Sequence, residues 1–423
     1  MRLNWKPPKV FYGWWIVGAS GLIGLYTLGI VQYGFTAVFE PIANEFGWSY
    51  TQISFGVSIR GLGAGLLAPL IGMFVDRLGA RRLIFGGTFI TCLGLLLLSR
   101  ITSLSMFYVS FVLITLGMTT CAPPVLNTAV ANWFQKKVGI AMAIASSAIG
   151  AGGLLVPLIV ILVDTYEWRT AMSLLALGIP AIVLPSSLLL RHKPEQYGYL
   201  PDGEVKDAVI AGKESVTAKP AEVEIGVKQA LKSRAFWHIA FQPTVGFMMV
   251  VAMTTHIMPY LSSIGVARST SGLVVSAMSL LGIAGYFCVG WLGDKFDKRW
   301  VWAVALTLRP LGLLCFVYVA ERSWLLVPLV LLYGLGWGGG AVMLGIVTRE
   351  YFGRSHFGAI MGLIAGMMGL GSVAGPPLAG WAFDTLGSYQ TIWLAFAAVA
   401  LTTAIIVAAM PPPPTKTRMI DKT

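Results

Sequence analysis

Twelve stretches of this 423-residue chain stay apolar for long enough to cross a bilayer core as helix, which takes about 20 residues. They run over 12–36, 51–75, 83–100, 105–131, 138–163 and 169–190, then over 236–261, 269–293, 301–320, 324–348, 357–383 and 391–410. Between the sixth and the seventh lies one long polar stretch, Arg191 to Ala235, with eight basic and seven acidic residues and scattered proline and glycine. The pattern predicts an all-α membrane protein of twelve transmembrane helices. Six form a bundle over 1–190 and six a second bundle over 236–410. Residues 191–235 are then a central loop with a short surface helix around 222–233, and 411–423 a polar tail. The first apolar run, Tyr12 to Phe35, is too long for the core of a signal peptide and no A-x-A site follows it, so it is expected to remain as helix 1.

Charge placement orients these spans. With the N-terminus inside, 24 of the 30 Lys and Arg residues fall on the inner side. Only Arg100, Arg169, Arg268 and Arg322 fall outside, and Arg60 and Arg309 lie within spans. This bias follows the positive-inside rule and predicts a multi-pass protein of the cytoplasmic (inner) membrane, with both termini and the central loop cytoplasmic. Orientation thus accounts for the net charge of +12, and no nucleic-acid partner is expected. Composition agrees: 56% apolar and 11% charged residues leave too little charge to cover a water-soluble surface, where about 25% is usual. The 49 glycines suit helices that must approach closely in lipid. Cys92, Cys121, Cys288 and Cys315 all lie in apolar runs with no CxxC spacing, so neither a disulfide framework, a metal site nor a cofactor is expected.

An internal repeat supports the six-plus-six division. Gly72-Met-Phe-Val-Asp76-Arg77-Leu-Gly-Ala-Arg81-Arg82 follows helix 2, and Gly290-Trp-Leu-Gly-Asp294-Lys295-Phe-Asp-Lys298-Arg299 follows helix 8, with the aspartates 218 residues apart. Halves related in this way are a habit of transporters, which bind substrate at the repeat interface near mid-membrane.

Both segments resemble the G-x-x-x-D-R/K-x-G-R-R signature of the major facilitator superfamily. Finer features are similar to the bacterial monocarboxylate and organic-anion porter branch. These are Phe11-Tyr-Gly-Trp-Trp15, Phe46-Gly-Trp48-Ser49, Asn132-Trp-Phe134 with Gly139-x-Ala141, and Lys193-Pro-Glu-Gln-Tyr-Gly198 with Pro201-Asp-Gly203. The resemblance implies two pseudo-symmetric bundles that work by alternating access, with helices 1, 4, 7 and 10 lining the cavity. It also implies that Asp76, Arg77, Asp294 and Lys295 make gating contacts on the cytoplasmic side. Members of that branch carry a substrate arginine in helix 8, whereas Ser269 to Gly293 holds no charged residue.

Arg60 is the most informative single residue. It lies in Ile59-Arg60-Gly61-Leu62-Gly63-Ala64, 16 residues before Asp76 and hence about 24 Å along the helix from the inner boundary. A charge at the bilayer centre costs roughly 2.5–3.5 kcal/mol on insertion scales, so it normally faces a cavity. A guanidinium there can bind a planar carboxylate bidentately, or it can snorkel outward or pair with a helix carbonyl. Arg309, followed by Pro310, is on helix 9, which the resemblance places at the periphery. Snorkelling, or capping of the carbonyls freed by the proline, is the expectation for it. Tyr26 and Tyr33 share a face of helix 1 beside Gln32, Asn127 follows Pro123 on helix 4, His256 is near the outer end of helix 7, and Tyr333 and Trp337 are one turn apart on helix 10. Each is an aromatic or polar candidate for shaping a substrate cavity.

No acidic residue lies well inside a span, so proton coupling would rest on His256, on the substrate itself or on an end-positioned acid such as Glu40. The leading reading is a secondary active transporter of a small organic anion, a mono- or dicarboxylate, by proton symport or anion exchange, monomeric in the bilayer. A carrier of an amphipathic cation or drug, with Arg60 structural, would call for acidic residues in the cavity. The third reading is a non-transporting receptor or a membrane-embedded enzyme; such an enzyme would show a His/Asp cluster, which the four scattered histidines do not form.

Overall fold

Residues 11–134, 137–191, 194–197, 226–353 and 356–410 are described by the structure, a computed structural model of the chain. Among them no strand forms. The helices are α1 (Gly13–Phe46), α2 (Tyr50–Leu78), α3 (Ala80–Ser99), α4 (Leu104–Ala131), then a continuous stretch Val138–Leu189. After the loop come α7 (Arg234–Ser263), α8 (Arg268–Lys295), α9 (Lys298–Val317), α10 (Leu326–Phe352), α11 (Phe357–Leu386) and α12 (Gln390–Ala408). Ten described helices have the length and hydropathy to span a membrane, and Val138–Leu189 is one of them at 52 residues. Its backbone breaks at Glu167, where φ is 65° and ψ is 155°, so it makes two spans, α5 (138–166) and α6 (168–189). With the 29-residue α2, the twelve expected segments are present. A short helix, Val227–Lys232, falls where a surface helix was expected before α7. The stretch 198–225 and the tail 411–423 lie outside the described residues.

Contacts group the chain into two compact units, which cut α1, α2 and α5 part-way along their lengths. The first comprises Met1–Ile30, Leu67–Gly152 and Arg169–Val216. Small residues make its closest approaches: a methyl at Gly21 would lie 2.7 Å from the Ala148 side chain, and one at Gly94 equally close to the backbone of Ile114. The second unit comprises Val31–Leu66, Gly153–Trp168 and Thr217–Thr423. Its core gathers Phe236, Trp302, Met343, Tyr351 and Ile360 from α7, α9, α10 and α11. Within it α8 and α10 meet along Gly282, Gly285, Gly334 and Gly338, where backbones touch. This is how helices associate when lipid removes the hydrophobic drive between them. Large apolar side chains such as Leu66, Trp291, Leu370 and Ile405 point outward, a surface that hydrocarbon and not water would cover.

Candidate functional site

Helix α1 is not α-helical throughout. Gly29–Tyr33 forms a π turn, a wider coil that recurs at functional sites. Arg60 on α2 meets this turn. Its side chain is only 9% exposed, and its Nη1–H donates to the Val31 carbonyl at 2.5 Å. A guanidinium has five N–H donors, and the others find no partner among the described residues. Tyr33 ends the π turn, buried, with its ring edge-on to Trp337 at 5.9 Å and 61°. Beside it the Gln32 amide donates to Thr254 Oγ1 at 3.4 Å.

Trp337 and Tyr333 stand one turn apart on α10, and the Tyr333 hydroxyl is buried without a hydrogen-bond partner. Arg309 is also buried, and it neither snorkels nor serves its own helix. Its Nε–H donates to the Gly336 carbonyl at 3.2 Å and Nη2–H to the Trp337 carbonyl at 3.1 Å. The reason is room: a methyl at Gly340 would lie 3.0 Å from Nη2, and one at Gly246 on α7 only 2.7 Å from Nη1. Glycine at those two positions lets the guanidinium pass α10 toward α7.

Asn127 lies in the other compact unit, on the part of α4 that Pro123 restarts, and its Oδ1 is buried without a partner. His256 is fully buried and both ring nitrogens are used. Nε2 lies 3.0 Å from the Pro376 carbonyl and 3.0 Å from Ser54 Oγ, while Nδ1 lies 2.9 Å from the Tyr389 hydroxyl. A carbonyl can only accept, so Nε2 carries the proton and Nδ1 accepts from Tyr389. The ring is thus satisfied in its neutral form.

Around His256, at the end of the second unit remote from the basic loops, four prolines carry a shared device. Proline has no N–H, so the carbonyl four residues before it loses its helical partner. Pro41 on α1 leaves the Ala37 carbonyl, which takes a 2.9 Å bond from Arg268 Nη2 on α8. Pro157 on α5 leaves the Gly153 carbonyl, which takes one of 2.9 Å from Ser276 Oγ on α8. Pro259 on α7 leaves the Thr255 carbonyl, filled by Thr36 Oγ1 on α1 at 3.0 Å. Pro377 on α11 leaves the Val373 carbonyl, filled by Ser58 Oγ on α2 at 2.6 Å. Two carboxylates complete the set. Asp384 accepts from the Tyr50 and Thr51 backbone N–H groups at the start of α2, at 2.9 and 2.8 Å. Asp164 accepts from Arg268 Nε at the start of α8, at 2.9 Å. In every case a helix of the first sequence half bonds to one of the second.

The chain matches the sequence profile of the Major Facilitator Superfamily over residues 21–267 and 244–422. It belongs to that superfamily. The chain is therefore a multi-pass membrane transporter of a small molecule and not an enzyme. Monocarboxylate transporter 12-B of Danio rerio is 26% identical over 409 residues, covering 90% of this chain and 83% of the relative. Monocarboxylate transporter 2 of Homo sapiens is 24% identical over 423 residues, covering 94% and 85%. Among solved structures, the nucleoside transporter NupG superposes with a TM-score of 0.72 at 13% identity, over 93% of this chain and 99% of its own. A bacterial homologue of the human lysosomal transporter Spinster, inward-facing and occupied, gives 0.69 at 17%, over 95% and 96%. These likenesses show the superfamily fold.

The superfamily signature is only partly in view. The side chains of Asp76 and Arg77 lie outside the described residues. Asp294 is exposed, and Lys295 lays its ammonium 3.9 Å from the Trp291 ring centroid. Next to them Asp297 caps α9, accepting from the Arg299 backbone N–H at 2.9 Å and its guanidinium at 3.0 Å, and these bonds hold the Asp297 carboxyl below its usual range. In the first unit, a cavity of about 590 Å³ is lined by Arg81, Arg82, Asn132, Arg191 and Tyr197, among others. Sequence reasoning missed the proline-freed carbonyls and the roles of Asp164 and Asp384. The available signal was the repeat itself: Pro41 and Pro259, like Ser58 and Ser276, are 218 residues apart, and Pro157 and Pro377, like Asp164 and Asp384, are 220 apart.

Proposed function

We propose that the chain carries a small organic anion, a carboxylate, across the cytoplasmic membrane by alternating access between its two halves, 1–190 and 236–410. One observation carries this reading: among the described residues the buried charged side chains are two arginines, and no carboxylate is buried with them. An uncompensated buried cation is costly, and a transported anion supplies the missing charge. Arg60 is the anchor, with one N–H held by the Val31 carbonyl and the rest free for a carboxylate. Tyr33, two residues beyond the Val31 carbonyl, packs its ring against Trp337, and Tyr333 offers an unpartnered hydroxyl. The relatives' name, monocarboxylate transporter, supports the same substrate class. Charge movement is balanced by proton symport or by exchange for a second anion, and one chain suffices. The basic loops, with Asp76, Arg77, Asp294 and Lys295, form the cytoplasmic gate, and the far-end proline latch forms the external one.

Uptake by two variants tests the anchor. Arg60→Lys keeps the charge and loses the planar fork, so carboxylate uptake falls at least ten-fold with normal folding. Arg60→Ala abolishes uptake. An arginine that merely caps the π turn gives the reverse, with lysine tolerated and uptake by Arg60→Ala near wild type.

A further inference from the structure

Three polar groups in the second unit have capacity that the protein does not use. Arg309, 8% exposed, spends Nε and Nη2 on the α10 carbonyls and leaves Nη1 without a partner. Gln242 on α7 is 5% exposed and its amide makes no hydrogen bond among the described residues. Tyr333, 2% exposed, has a hydroxyl with no partner. The three are close together. A methyl at Gly246 would touch both Arg309 Nη1, at 2.7 Å, and Gln242 Nε2, at 3.3 Å. Tyr333 stands on α10 within about one turn of Gly336 and Trp337, whose carbonyls Arg309 bonds. Buried polar groups are nearly always paired, so the unpaired Tyr333 hydroxyl and the unused Gln242 amide near the Arg309 cation mark a place for an absent acceptor. All three can donate, and the cluster carries a positive charge with no carboxylate against it. An anion is the ligand that satisfies it.

One aromatic contact links this place to the π turn that Arg60 meets. Arg60 bonds the carbonyl of Val31, two residues before Tyr33, and Arg309 bonds the carbonyl of Trp337. Tyr33 and Trp337 touch ring to ring at 5.9 Å. Arg309 is therefore fastened to one partner of this aromatic contact, and Arg60 to the π turn that ends in the other. We propose that Arg309, Gln242 and Tyr333 form a second anion subsite, and that the carrier selects a dicarboxylate, with one carboxylate on Arg60 and the other on Arg309. The proposal rests on the reading of Arg60 as a carboxylate anchor.

A monocarboxylate leaves the Arg309 subsite empty, so the ratio of dicarboxylate to monocarboxylate transport reads it out. The experiment measures uptake of labelled succinate and of butyrate, which has a methyl in place of one carboxylate, in proteoliposomes. It uses the wild type, Arg309→Gln, Gln242→Leu and Tyr333→Phe, each with its thermal unfolding with and without succinate. The wild type favours succinate. Arg309→Gln lowers the succinate-to-butyrate ratio at least ten-fold and removes the stabilisation by succinate, because a charge-assisted hydrogen bond is lost. Tyr333→Phe and Gln242→Leu lower the ratio by about three- to ten-fold, and they carry the test if Arg309→Gln does not fold. If Arg309 only braces α10, both solutes fall in parallel or not at all, and the subsite is refuted while the Arg60 anchor stands. A wild type that binds neither acid overturns the anchor as well.

Discussion

At the scale of single residues, the buried charges divide into those that a sequence can flag and those whose partners it cannot name. Arg60 and Arg309 are conspicuous as the two arginines inside apolar runs, because hydrocarbon makes any charge there costly. Their targets were not readable. Which carbonyl Arg60 meets depends on a π turn that no residue pattern in Gly29–Tyr33 announces. The reach of Arg309 to α10 depends on Gly246 and Gly340 lying across its path, a packing fact with no local signature. His256 shows the same limit: its position marked it as a candidate for the substrate cavity, and the structure joins it to Ser54, Pro376 and Tyr389. With both ring nitrogens committed, His256→Ala is expected to destabilise the protein by about 1–3 kcal/mol for each partner left unpaired. A lowered thermal midpoint in detergent reads this out, and an unchanged midpoint would show that the hydrogen bonds contribute nothing.

Among the elements, hydropathy was enough to place the spans, because twenty apolar residues between polar loops have few alternatives to a transmembrane helix. What it left out is how helices of the two halves hold each other. The far-end latch is written in residues that look like imperfections in apolar helices: a proline on each of α1, α5, α7 and α11, with a hydroxyl or guanidinium on a facing helix. Only the spacing of the repeat singles them out. The pairing is close to two-fold symmetric, since Ser58 bonds α11 as Ser276 bonds α5, and Asp384 holds the start of α2 as Asp164 holds the start of α8. Hydrogen bonds to proline-freed carbonyls suit a gate, because water can replace the hydroxyl when the helices part. Replacing both Ser58 and Ser276 by alanine leaves two carbonyls unpaired in the latched form, at about 1–3 kcal/mol each. The far end should then open more often. A cysteine at Tyr33 in that double variant is expected to react several-fold faster with an impermeant thiol reagent from outside, with cysteines at Glu45 and Lys213 reporting outside and inside respectively. Equal rates with and without the two hydroxyls would mean that they hold nothing shut.

On the scale of the whole molecule, the repeat, the family and the buried charges point one way. In the proposed cycle, two six-helix halves with matching signatures are the moving parts, and the polar contacts around His256 and the basic loops are the stops. Among the described residues the interior holds two arginines and no buried carboxylate. Alternating access needs all three, and the last of them sets the solute. Central to this is that the solute's negative charge, and not its shape alone, admits it to the interior. The most direct measurement is uptake into proteoliposomes of labelled carboxylates and of their neutral amides, with and without a pH gradient, with an amphipathic cation as competitor. Saturable uptake of the acids, little or none of the amides and no competition by the cation is the predicted result. Uptake of amides as fast as their acids, or displacement by the cation, would contradict it.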